Sequence, residues 1–189
     1  EALPNFIEKI ANAGCEVFII HARKAFLKGL SPAQNREIPP LNYDLVEEMK
    51  VRWPKLKIIL NGGLETLDEV RQRLSKLDGV MLGRAAYKTP WVLSIVDNLI
   101  YGEPEKNKTR KDVIDMMVNY AATQKSLGVP VKSITRHMLG LFHAEPGAKA
   151  WRKFLAEEAR GLDAEPEIIR HAYFAVCEAA SLKTQGEAA

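Results

Sequence analysis

Asn61-Gly62-Gly63 and Gly83-Arg84 are the residues of this sequence best suited to holding an anion. Two consecutive glycines let a ligand approach the backbone closely, and exposed N–H groups ahead of a following helix form a site for negative charge. Arg84 adds a planar guanidinium fork that matches a phosphate monoester. Each motif directly follows a short apolar run, Ile58 to Leu60 and Val80 to Leu82. They lie about twenty residues apart, one strand–helix unit, and in a (β/α)8 barrel the loops after the last two strands commonly build a phosphate pocket. The pair therefore signals a phosphorylated cofactor, and turn chemistry without any ligand is the alternative that spacing leaves open. His21-Ala22-Arg23-Lys24 follows a third apolar run, Val17 to Ile20. There His21 would project at the same face as the glycine loops and could hydrogen-bond a cofactor ring or phosphate. A lone histidine more often has a structural role, so His21 counts only in combination, and Arg23 and Lys24 read equally as surface residues.

The elements that must position these residues are legible up to about residue 98. The three apolar runs are continuous rather than alternating, which predicts parallel strands covered on both faces. Amphipathic segments at Leu3 to Ala13, Asp44 to Trp53 and Leu67 to Lys76 supply helices, the last opened by Thr66 or Asp68. The pattern is βαβαβ with a helix in front. Tyr101-Gly102-Glu103-Pro104 is turn chemistry, and the domain boundary is expected there, with one domain over 1–104 and a second over 105–183. Beyond it only helical periods occur. Thr109 with Asp112 caps a helix that Gly128-Val129-Pro130 ends, and helices are predicted over Val131 to His143, Ala148 to Arg160 and Pro166 to Leu182. The fold class is α/β followed by an all-α four-helix bundle. The tail, from Lys183 with 184–189 outside the second domain, is expected to be disordered.

The chain has 189 residues, 47% hydrophobic and 27% charged, enough for one large or two small cores. No run approaches the roughly eighteen apolar residues of a membrane span, and residues 1 to 20 lack a secretion-signal pattern, so a cytoplasmic location is expected. Cys15 and Cys177 are far apart with no CxxC or Cys/His cluster, which argues against a disulfide framework or metal site and predicts buried thiols. The net charge of +3 announces no nucleic-acid binder, but its distribution is uneven. At 100° per residue Lys149, Arg152, Lys153 and Arg160 fall within an arc of about 100°, with Trp151, Phe154 and Leu155 on roughly the opposite side. Such a stripe suits a phosphate backbone. A solvated helix face, with Glu157 and Glu158 nearby, is the alternative.

The run His21-Ala22-Arg23-Lys24-Ala25, Gly29-Leu30-Ser31-Pro32 and Asn35-Arg36-Glu37-Ile38-Pro39-Pro40-Leu41 resembles the A-type branch of the tRNA-dihydrouridine synthases. So do Asn61-Gly62-Gly63, Asp78 to Tyr87, and Arg136-His137-Met138-Leu139-Gly140-Leu141-Phe142. The resemblance spans about residues 15 to 155, and motif order and spacing carry it. It implies the C-terminal part of an FMN-binding TIM barrel, about three parallel strands with their helices, followed by a helical tRNA-binding domain. It implies NADPH-dependent reduction of the C5–C6 double bond of a uridine in the D-loop of tRNA, with the hydride passed from a non-covalent FMN and the proton from a loop cysteine. Carried over by position, His21 would contact FMN, and Asn61, Gly62, Gly63, Gly83 and Arg84 would hold its phosphate and ribityl end. Lys149, Arg152 and Lys153 would grip tRNA, helped by Arg36 beside the active-site mouth. Arg136 and His137 read as structural.

The catalytic cysteine of that family sits between asparagine and proline, whereas Cys15 lies between Gly14 and Glu16 and Cys177 within a helix. Three strands cannot close an eight-stranded barrel. The expectation is a fragment, inactive alone, of a protein that is monomeric at full length. Two further readings stay open: a flavin barrel acting on a small molecule, which leaves the basic helical part unexplained, and a non-catalytic RNA-binding module.

Overall fold

A computed structural model describes residues 2–161 and 163–187, with side chains described as far as residue 183. The chain divides into two compact units, Glu1–Ala85 and Ala86–Ala189, upstream of the 104/105 boundary expected from sequence. The Gly102 turn exists, with φ of 68°, but residues before it belong with the second unit. Trp91 packs on that unit's core, and the Arg110 guanidinium stacks 4.4 Å from the Trp91 ring.

In the first unit β1 (Val17–His21), β2 (Lys57–Asn61) and β3 (Gly79–Met81) form a parallel sheet in the order β1-β2-β3. Register pairs His21 with Asn61 and Asn61 with Met81, so the strands' C-terminal ends lie level. Helices α1 (Ala2–Asn12), α3 (Tyr43–Arg52) and α4 (Leu67–Leu74) stand where amphipathic periods predicted them, with a short α2 (Pro32–Asn35) in the long loop after β1. Ile7, Phe18, Ile20, Val46, Met49, Ile58 and Leu60 form the core. Complete burial of Ile58 and Leu60 is worth on the order of 2 kcal/mol each. Thr66 and Glu69 close a capping box on α4, worth about 1 kcal/mol. The expectation of strands covered on both faces fails for β1. Its burial alternates, with Phe18 and Ile20 buried while Val17 and Ile19 remain 54% and 58% exposed, because the described helices cover one face only.

The second unit is helical: α6 (Val96–Tyr101), α7 (Arg110–Ser126), α8 (Val131–Thr135), α9 (Ala148–Glu158) and α10 (Ile168–Glu187), with α5 (Arg84–Lys88) spanning the unit boundary. Thr109 and Asp112 form the predicted cap of α7. The four-helix bundle is not realised as expected, because the second helix stops at Thr135 instead of His143. The turns beyond Thr135 are held by distant partners: Met138 accepts from the Trp151 indole at 2.9 Å as well as from the Leu141 N–H, and Leu141 from Arg110 Nε at 3.0 Å. Gly140 lies so close to the Lys88 carbonyl that a Cβ would overlap it. A chain of turns follows, and α7, α9 and α10 enclose the core of Ile114, Val118, Trp151, Leu155, Ile169 and Ala172. The tail expected to be disordered from Lys183 continues α10 to Glu187, and Ala188 and Ala189 lie outside the described residues. Both cysteines differ from expectation: Cys15 is half-buried and Cys177 exposed.

Candidate functional site

Parallel strands direct the residues after their C-terminal ends to one rim, and a cavity of about 200 Å³ opens there in the first unit. His21, Asn61, Gly62, Gly63, Gly83 and Arg84, all six residues assigned to a cofactor, line it. Arg36, assigned to RNA, lines the same cavity, as do Leu64, Glu65, Met81 and Ala85, which the sequence reading left out.

The loop after β1 reaches the cavity through local bonds. Ser31 and Gln34 form a capping box with Pro32 at the first turn of α2, and the Asn35 side chain exchanges hydrogen bonds with the Phe26 backbone at 2.8 and 2.9 Å. Arg23 Nη1 donates to the Glu37 carbonyl at 2.8 Å and to that of Pro39, and Arg23 bridges to Leu41. Leu41 is thereby laid against the glycine pair. A Cβ on Gly62 would meet Leu41 Cδ2 at 3.1 Å and His21 Cε1 at 3.2 Å, and one on Gly63 would overlap Leu41 Cδ1. Both glycines adopt positive φ, 126° and 71°. Among the described residues no protein acceptor meets the N–H groups of Gly63 or Leu64. Two successive free donors just beyond a strand end can serve an anion.

The cavity's charge is positive but partly balanced. Arg84 Nη1 donates to Glu37 Oε1 at 3.3 Å, an exposed pair worth at most about 1 kcal/mol, so an incoming anion can displace the carboxylate. Burial first, then the charges of Arg23 and Arg84, lower the His21 pKa, which favours a neutral imidazole able to donate and accept near neutral pH. Among the described residues no group of three His, Cys, Asp or Glu is arranged to hold a metal ion, and no helix is long and apolar enough to cross a membrane.

The family model described as dihydrouridine synthase matches residues 1–174. The chain belongs to the dihydrouridine synthase family. It is similar to the tRNA-dihydrouridine(20/20a) synthase of Shewanella oneidensis, 46% identical over 176 residues that make up 93% of this chain and 52% of that protein. The proteins of the same name from Vibrio cholerae and Escherichia coli strain K12 are 46% and 44% identical over 173 residues, 91% of this chain and 53% and 50% of theirs. The chain spans about half the length of the curated relatives it matches.

In this dihydrouridine synthase chain the second unit carries Lys149, Arg152 and Lys153, all exposed on α9, with Trp151 and Leu155 buried on the far side. Among the described residues none of the three basic side chains has a hydrogen-bond or ion-pair partner. Arg136 and His137, read as structural from sequence, are both exposed; Arg136 Nε donates to His137 Nε2 at 3.1 Å, and His137 Nδ1 lies 2.8 Å from the Tyr87 hydroxyl.

Proposed function

We propose that the protein carrying this chain reduces uridine to 5,6-dihydrouridine in the D-loop of tRNA, using FMN and NADPH, and that the cavity receives the flavin phosphate. The observation that carries the reading is the pair of unpaired amides at Gly63 and Leu64 in a cavity that the Arg84 guanidinium also lines, at the C-terminal rim of a parallel sheet. When bound and reduced by NADPH, FMN supplies the hydride for the C5–C6 double bond. The residues of this chain bind and orient: the amides and Arg84 hold phosphate oxygens, and neutral His21 and Asn61 offer hydrogen bonds to the rest of the cofactor. Arg36 at the cavity wall and Lys149, Arg152 and Lys153 on α9 engage tRNA phosphates. The relatives' name designates uridines 20 and 20a, and we assign the same positions here.

Arg84→Ala in the complete protein should release FMN, read as loss of the yellow flavin absorbance after purification, and abolish dihydrouridine in tRNA. A fully flavinated variant would contradict the phosphate role. Neither cysteine stands between asparagine and proline as the family's proton donor does, so the 189 residues alone should form no dihydrouridine in the same assay.

A further inference from the structure

Two adjacent glycines carry little intrinsic preference for the orientation of the peptide between them, so something else must set it. Turned one way, that peptide offers its N–H to the cavity; turned the other, it offers a carbonyl oxygen that repels an anion. Tyr43, at the start of α3, sits on the Gly62 carbonyl and donates to it at 2.9 Å. Its ring is held in turn, with the Arg73 guanidinium 4.4 Å above it and Arg73 itself paired to Glu47 at 2.8 Å. Burial foremost, then the charge of Glu69, raises the phenol pKa and keeps the proton on the donor. The Gly62–Gly63 peptide is trans, as the described bonds are, so its N–H points opposite to its carbonyl. Both glycines line the cavity and Tyr43 does not. With the carbonyl fixed on Tyr43, the Gly63 N–H is turned into the cavity.

We propose that Tyr43 is a positioning residue for phosphate recognition: its hydroxyl holds the Gly62 carbonyl and thereby presents the Gly63 amide to a phosphate monoester. The inference rests on the flavin-phosphate reading of the cavity. It is specific, because it assigns to a residue outside the cavity a share in the discrimination between phosphorylated and unphosphorylated flavin.

FMN and riboflavin share ring and ribityl chain and differ in the phosphate. Their dissociation constants are to be measured by flavin fluorescence on the complete apoprotein, wild type, Tyr43→Phe and Arg84→Ala. Phenylalanine keeps the ring and its stacking under Arg73, so the fold is retained. Tyr43→Phe should weaken FMN about tenfold, the effect of one hydrogen bond to a partly buried carbonyl, and leave riboflavin unchanged. Equal weakening of both flavins, or of neither, overturns the proposal. If Arg84→Ala narrows the FMN preference and Tyr43→Phe does not, the role of Tyr43 alone is refuted. If the wild type binds both flavins alike and Arg84→Ala alters neither, the phosphate reading itself falls and the inference with it.

Discussion

At position 63 two separate constraints exclude a side chain: a left-handed backbone and the Leu41 methyl where a Cβ would stand. Gly63→Ala should cost about 1–2 kcal/mol for the backbone and about 1–3 kcal/mol for displacing Leu41. Gly83 differs, since nothing lies within 4 Å of its Cβ direction and its φ is not positive. Gly83→Ala should stay within about 0.5 kcal/mol of the parent. Thermal melts of the two variants test this, and similar Tm values would show that the glycine pair is not conformationally required. The glycines and arginine that line the cavity were legible in the sequence because two such motifs, each directly after an apolar run and one strand–helix unit apart, must reach the same rim of a parallel sheet. Tyr43 and Leu41 were not, because a tyrosine opening a helix and a leucine before it carry no local sign of what they press against across the fold.

Among the elements, Asp78 does the joining between β2, β3 and α3. One residue before β3 begins, its carboxylate pairs with Lys50 of α3 at 2.7 Å, accepts from the Ile58 N–H of β2 at 2.9 Å and lies 3.4 Å from Lys57 of β2. The Lys50 hydrogen bond foremost, against the opposing effect of burial, lowers its pKa to about 2. A depressed carboxylate stabilises the fold above its unfolded pKa of about 3.9, and that stability disappears as pH falls through about 2. Allowing for solvent screening of a partly exposed site, the contribution is roughly 1–2 kcal/mol. Asp78→Asn should therefore lower the denaturation midpoint at pH 7, with the deficit shrinking between pH 4 and pH 2; a deficit constant over that range would rule out the charge as its source. Strands and long helices were read closely because hydrophobic periodicity is a local signal. The stop of α8 at Thr135 was not, since the turns that follow it are held by Trp151, Arg110 and the close approach to Lys88, partners distant in sequence.

For the molecule as a whole, the two units divide the work that we propose, nucleotide in one and RNA backbone in the other. Replacing Arg152 and Lys153 by alanine in the complete protein should weaken tRNA binding and reduce the slope of log K against log salt by about 1–2. An unchanged slope would reassign α9 to an ordinary solvated face. The helical character of the second unit and the parallel sheet followed from hydrophobic period. Sheet coverage did not, because a continuous apolar run looks the same whether one side or two find partners within the chain.

That half-dressed sheet has a further consequence. Val17 and Ile19 project from the outermost strand, whose free margin also carries unmatched peptide groups among the described residues. A greasy rim of this kind is sticky toward its own copies. Concentrated solutions of these 189 residues alone should therefore scatter light increasingly with time, the strands seeking in one another the neighbours they do not find at home.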